Sequence, residues 1–271
     1  MICRVVAELS ANHQGSLERA LQLVDAAAIA GAWGVKLQTW DPEHMVLDQD
    51  YTLRSGPWAG RRLAALYEEA HTPLEWHAHL CAAARARGLE PFSSVFDLPS
   101  LAFLQSIGCT RYKIASFEVV DLPLIRAVAA TKRPVVISTG MATLPEIEEA
   151  YQAAQRAGCR DLTLLQCTSA YPAEPKAATL RTMSHMKQRL PGAQVGLSDH
   201  TQGIAAAVVA ASMGAVMIEK HLTMSRAEGG LDATFSIEPA ELAQLCTEVA
   251  RAEACVGQVV YGPRDSEQPQ L

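Results

Sequence analysis

No two of the seven cysteines are spaced C-x-x-C, and their number is odd, so neither a zinc ribbon nor a closed disulfide framework is available. The thiols read as reduced. The opening MICRVVAELSANHQG meets polar residues too soon for a signal peptide, so the expected location is the cytoplasm. There is no excess of basic charge: 23 Lys and Arg stand against 29 Asp and Glu, for a formal net charge of -6. The basic residues are scattered among acidic ones, which leaves no stripe for a nucleic-acid backbone. No apolar run suits a membrane span either, since the longest, Ile204 to Ile218, is Ala-rich and broken by Ser212 and Gly214. Finally, no G-x-G-x-x-G follows the first β-branched run, which removes the simplest dinucleotide-binding reading.

What is present is alternation. Short β-branched runs, RVVAEL, GVKLQTW, EPFSSVF, RYKIAS, PVVISTG, DLTLLQC, QVGLSD and AVMIEKHLT, are separated by longer Ala, Leu, Glu and Arg segments. Two of those segments carry helix punctuation. Ser16 and Gly31 bracket SLERALQLVDAAAIAGA, and Pro145 and Gly158 bracket LPEIEEAYQAAQRAGC. Eight strands with eight helices in 271 residues predict a closed (β/α)8 TIM barrel over residues 1–262, with 263–271 as a tail.

A barrel places its chemistry at the C-terminal ends of its strands. There the chain offers Glu8, then Lys36 and Gln38, then Ser94, then Lys113, Ser116 and Glu118. The later strands end in Ser138, in Ser169 and Tyr171, in Ser198, Asp199 and His200, and in Glu219, Lys220 and His221. A polar residue at one strand end is ordinary turn chemistry; eight strands that converge polar groups on one mouth predict a site. His200 and His221 fall at similar depth on adjacent strands, as two imidazole ligands of a Mn2+ or Mg2+ ion would, with water and substrate oxygens completing the shell. Taken singly, each could instead cap its strand end through hydrogen bonds. Lys36 and Lys113 with Ser94, Ser116, Ser138 and Ser198 suit a phosphate or phosphate-carboxylate, because a buried ammonium without an anion is costly. Glu8, Glu118 and Asp232 are acid/base or hydroxyl-binding candidates, with ordinary structural carboxylates as the alternative. The long connection from Asp41 to Thr72 carries Tyr51, Arg54, Trp58, Arg61, Arg62 and Tyr67, a mixture that suits a polar sugar, a helix surface or a dimer contact.

The motifs AELSANHQGSLERA, KLQTW, FSSVFD, YKIASFE, VISTGMAT, CTSAYP, GLSDHT, IEKHLT and GGLDATFSIEP resemble, in order and over nearly the whole chain, the barrel of the sialic acid synthase family. GPWAGRRLAALYEEAHTPLEWH and SRAEGGLDATFS resemble its pseudaminic acid-forming branch most, and Ser169-Ala170 within CTSAYP points the same way. The resemblance implies condensation of phosphoenolpyruvate with an N-acetylated amino sugar, releasing phosphate and giving a nine-carbon 2-keto acid. It implies that His200 and His221 bind the metal and that Lys36, Ser94, Lys113, Ser116, Ser138, Ser169 and Ser198 hold phosphoenolpyruvate. Glu118 would orient or activate water, and Glu8, Gln38, Tyr171 and Asp232 would contact the sugar. Sialic and legionaminic acid synthases, a non-catalytic phosphoenolpyruvate-binding barrel and a pyruvate-using metal aldolase are the rival readings. Family members usually dimerise and continue past YGP into a small antifreeze-like domain that lids the partner's barrel. The chain ends at Leu271, so the expectation is a barrel that folds and binds metal but binds sugar weakly unless a lid comes from elsewhere.

Overall fold

The computed structural model describes residues 3–270. Its eight strands are β1 (Arg4–Glu8), β2 (Gly34–Thr39), β3 (Glu90–Val95), β4 (Tyr112–Ile114), β5 (Val135–Ser138), β6 (Leu162–Cys167), β7 (Gln194–Asp199) and β8 (Met217–His221). They are parallel and close in sequence order, with β8 pairing back to β1 from Arg4 opposite Met217 to Glu8 opposite His221. The expected (β/α)8 barrel is therefore the architecture, and all eight predicted strands are present.

The helices differ from expectation by one. Among the described residues there are α1 (Leu17–Ile29), α2 (Leu63–Ala70), α3 (Leu74–Ala86), α4 (Leu98–Ser106), α5 (Leu122–Ala130), α6 (Leu144–Arg156), α7 (Arg181–Arg189), α8 (Ala205–Ser212) and α9 (Pro239–Val256). The extra element is α2, inside the long β2–α3 connection. It is eight residues, too short to stand out from a loop rich in Arg and Gly, and it holds to the barrel through the buried Ala64 and Leu66. Local signals elsewhere act as expected. The Ser16 hydroxyl accepts from Arg19 N–H at 3.2 Å to start α1, and Glu146 reaches back to Thr143 N–H at 2.7 Å to start α6.

Strand pleating sends alternate side chains inward. Below the mouth the inward positions are apolar, with Phe92 in register with Lys36 and Val136 in register with Lys113. Gly196 on β7 has no room for more: a Cβ there would lie 2.2 Å from the Met217 carbonyl oxygen and 2.8 Å from Leu165 Cδ2. At the opposite end Trp33 packs on Phe92, with the guanidiniums of Arg4 and Arg111 at 4.8 and 5.5 Å from its ring. No helix among the described residues is long and apolar enough to cross a membrane.

Candidate active site

The C-terminal strand ends surround a cavity of 400 Å³. Its floor is ionic. Lys36 Nζ pairs with Glu8 Oε2, donates to Ser94 Oγ at 2.9 Å and lies 3.6 Å from Glu219 Oε1. Glu219 in turn accepts from Ser198 Oγ at 3.4 Å. Burial pulls the Lys36 ammonium down, but Glu219 and Glu8 more than reverse this and hold it charged. Lys113 is placed differently. It is equally buried, but its hydrogen bond goes to the Ile114 carbonyl at 3.1 Å, and no carboxylate lies within ion-pair distance among the described residues. Burial therefore lowers its pKa. Lys113 is the uncommitted cation of the site.

Beside Lys113 the β4, β5 and β6 ends form a cradle of hydroxyls. The Gly140 N–H donates to Ser116 Oγ at 3.1 Å. A Cβ on Gly140 would fall 2.3 Å from Ser169 Oγ and 2.8 Å from Ser116 Oγ, so the missing side chain is what lets two hydroxyls converge. Ser138 Oγ is buried with no hydrogen-bond partner. An anion with several oxygens is the ligand such donors suit.

On the far side, His200 and His221 meet with ring centroids 5.3 Å apart. His200 Nδ1–H donates to the Thr168 carbonyl at 2.9 Å, which in the neutral ring leaves Nε2 as a lone pair. His221 is buried and its Nδ1 lacks a partner, with Asp232 Oδ2 3.8 Å away. Burial, with the neighbouring His200, drives the His221 pKa well down, so this imidazole is neutral. Burial works to lower the His200 pKa but the Cys167 contacts more than reverse it; with that ring also deprotonated, the two imidazoles fit two positions of a divalent cation's shell. No third His, Cys, Asp or Glu completes a three-residue metal cluster among the described residues, which leaves the other positions to water or ligand oxygens.

Eleven of the fourteen residues expected at the site line the cavity. They are Lys36, Gln38, Ser94, Lys113, Ser116 and Ser138 from the first five strand ends, and Tyr171, Ser198, His200, His221 and Asp232 from the rest. Glu8, Glu118 and Ser169 do not line it. Glu8 is fully buried behind Lys36, and Ser169 faces Gly140. Glu118, on the turn after β4, keeps Oε2 without a partner, and burial pushes its carboxyl up to about 7. A larger cleft of 580 Å³ lies between Gln14, Trp76 and Gly230 and contains none of these residues.

Several participants escaped sequence reasoning. Cys167 lies 3.9 Å from His200 Nδ1, and although burial opposes ionisation, the His200 contacts bring its thiol down to about 7. Phe235 packs against both imidazoles, with centroids 6.3 and 5.0 Å away. Both lie within family motifs, Cys167 in CTSAYP and Phe235 in GGLDATFSIEP, but an apolar or thiol side chain does not by its type mark a participant; the inward register of β6 was the available clue for Cys167. Asp199 and Lys220, adjacent to the two histidines in sequence, instead pair with each other at 2.8 Å on the opposite strand face, fully buried. The long connection also sorts itself in a way its composition did not indicate. Leu53, Trp58, Leu63, Leu66 and Tyr67 line the cavity, whereas its arginines stay outside: Arg61 meets Glu69, and the exposed Arg62 lies 3.9 Å from Asp50.

The chain is similar to known proteins over most of its length. The chain is 38% identical over 256 residues to the pseudaminic acid synthase of Campylobacter jejuni subsp. jejuni serotype O:23/36, covering 93% of this chain and 74% of that protein. It is 41% identical over 238 residues to the pseudaminic acid synthase of Helicobacter pylori, covering 87% and 70%. The N-acetylneuraminic acid synthetase of Leptospira borgpetersenii, solved with citrate, superposes with a TM-score of 0.89 at 31% identity, over 100% of this chain and 90% of that one. Residues 23–261 match the NeuB family, and with relatives this similar across nearly all its length, the chain belongs to that family.

Proposed function

We propose that this protein is a pseudaminic acid synthase, condensing phosphoenolpyruvate with 2,4-diacetamido-2,4,6-trideoxy-altrose to a nine-carbon 2-keto sugar acid with release of phosphate. The observation that carries the reading is the uncommitted Lys113 beside the hydroxyl cradle at Gly140, within one cavity with the paired imidazoles. Lys113, Ser116, Ser138 and Ser169 hold the phosphate and carboxylate, and Lys36 and Ser94 complete the anion site. Held there, C3 of phosphoenolpyruvate forms the new bond to the sugar aldehyde carbon, whose oxygen takes up a proton. Water then adds to the cationic C2, and the C2–O bond to phosphate breaks to give the ketone. Glu118 does not line the cavity, so it takes the proton of that water through a relay, with a carboxyl near neutrality and a free Oε2. His200 and His221 would hold a divalent cation, manganese or magnesium, which as a Lewis acid polarises the aldehyde. Gln38, Tyr171 and Asp232 position the sugar.

Phosphate release tests this. With manganese and phosphoenolpyruvate, release is expected with the diacetamido sugar, much less with N-acetylmannosamine, and none without sugar or in His221→Ala. Faster release with N-acetylmannosamine would move the assignment to a sialic acid synthase. No release with any sugar, despite phosphoenolpyruvate binding, would make the barrel a non-catalytic binder.

A further inference from the structure

The cavity has two walls of opposite chemistry. The strand ends supply lysines, hydroxyls and imidazoles. The rest of the lining includes Trp40, Leu53, Trp58, Leu63, Leu66 and Phe96, five of them from the β2–α3 connection that carries the extra helix α2. Two arginines of that connection stay at the surface beside its own carboxylates, Arg61 with Glu69 and Arg62 near Asp50. Trp58 fixes the apolar wall relative to the reacting centre. Its indole N–H donates to the Leu231 carbonyl at 3.0 Å, and its ring packs on Tyr171 and Phe235 at 5.9 and 6.4 Å. Tyr171 in turn lies 4.4 Å from the His200 ring. A sugar whose aldehyde sits at the imidazoles therefore lies against aliphatic and aromatic surface as well as against the polar strand ends.

We infer that the β2–α3 connection is the specificity element of this site, and that it selects acceptors whose far end carries methyl groups, a 6-deoxy carbon and N-acyl methyls, over hexosamines with hydroxyls there. The inference rests on the synthase reading for the orientation of the sugar. A hydroxyl placed against Leu53 or Leu63 loses its water and finds no partner, whereas a methyl buries favourably. Discrimination of this kind in apolar pockets is worth about 10- to 200-fold in kcat/KM. Because the lysines and hydroxyls at the strand ends hold phosphoenolpyruvate, changes at Leu53 and Leu63 act on the sugar.

The test compares wild type with Leu53→Asn and Leu63→Asn, both half-buried positions. The substrates are two altrose-configured diacetamido sugars that differ only in a hydrogen or a hydroxyl at C6. Wild type is expected to favour the 6-deoxy sugar by about 10- to 200-fold. Each variant should narrow that ratio about tenfold, with the KM for phosphoenolpyruvate unchanged. An unchanged ratio in folded variants, or equal use of both sugars by wild type, overturns the inference. Saturation-transfer NMR of the 6-deoxy sugar, without phosphoenolpyruvate, separates this from failure of the synthase reading. Saturation concentrated on the methyl protons in wild type and weakened in the variants supports the wall even if no turnover occurs, an outcome that would sink only the catalytic reading. Saturation spread evenly over the ring protons, or none, overturns the wall.

Discussion

The same chemical change, one methyl group added to a glycine, should have opposite consequences at two places in this barrel. At Gly140 the new Cβ meets Ser169 Oγ at 2.3 Å and Ser116 Oγ at 2.8 Å, both ends of side chains that can rotate away. The fold then loses little, about 1 kcal/mol or less. What it loses is the convergence of two hydroxyl donors on one anion. Hydrogen bonds to charged groups are worth roughly 1.5–3 kcal/mol each, so displacing both costs about 3 kcal/mol of affinity, close to 10²-fold. At Gly196 the obstacle at 2.2 Å is the Met217 carbonyl, which is backbone and fixed by its ladder, with Leu165 Cδ2 at 2.8 Å behind it. Overpacking there costs about 3 kcal/mol, a fall in Tm of roughly 6–12 °C. Isothermal titration with phosphoenolpyruvate, without sugar, and a thermal melt read both effects. Gly140→Ala should keep its Tm and lose affinity, and Gly196→Ala should melt early. A folded Gly140→Ala that binds phosphoenolpyruvate within about threefold of wild type would refute the cradle.

Other outcomes follow from the charges. Burial raises Glu118 from 4.5 to about 7, so its ionised form is disfavoured in the folded chain. As the proton acceptor it should make kcat fall below about pH 7, a limb absent from the residual activity of Glu118→Gln. The same shift means ionisation destabilises the fold above pH 7 and not below pH 4.5, so Glu118→Gln should raise Tm at pH 8 by up to about 3 kcal/mol equivalent and leave it unchanged at pH 4. Manganese binding, followed by loss of the free-ion EPR signal, should be abolished in His221→Ala with the melt preserved; binding unchanged by that substitution removes the histidines as ligands. Lys220→Met strands the buried Asp199 carboxylate on the outer strand face and should cost about 3–5 kcal/mol of stability, read in a urea melt. Of the two floor lysines, Lys36→Met should unfold the barrel because it leaves Glu8 and Glu219 unpaired. Lys113→Met, which breaks no direct ion pair although its charge helps keep Glu219 ionised, should cost less stability than Lys36→Met and should lose phosphoenolpyruvate binding by titration.

The strands were legible because a barrel strand is a short β-branched run between punctuated helices, and the site was legible because parallel strands share one catalytic end. That rule brings Lys36, Lys113 and the two histidines together without any contact information. It does not say which carboxylate a lysine will find. Glu8 and Lys36 are adjacent across β1 and β2, which register alone decides. Nor does it separate the two faces of one strand end: His221 points into the mouth while Lys220, one residue earlier, points to Asp199 on the outside, as the period of two requires once the inward phase is known. The long connection was the least legible part. Its apolar residues and its arginines alternate irregularly, and only packing against Tyr171 and Phe235 shows which side faces the ligand.

The floor of the cavity explains why such a site would be built with two lysines when one already has its counterions. Burial above all pushes Glu8 up to about 7, against the pull of Lys36 beside it. Burial also works to raise Glu219, but Lys113 and Lys36 reverse it and keep this carboxylate ionised. The two lysines thus face one ionised carboxylate and a second whose ionisation burial opposes. The shortfall falls on Lys113, whose partner is a carbonyl and not a carboxylate. A buried ammonium in that position lowers its own pKa until an anion arrives, and the arrival both restores the proton and fills the cradle. A third carboxylate would have stabilised the empty barrel and repelled the ligand. Leaving the charge unmatched does the reverse, so the cost to the fold of burying Lys113 reappears as affinity for a phosphorylated acid.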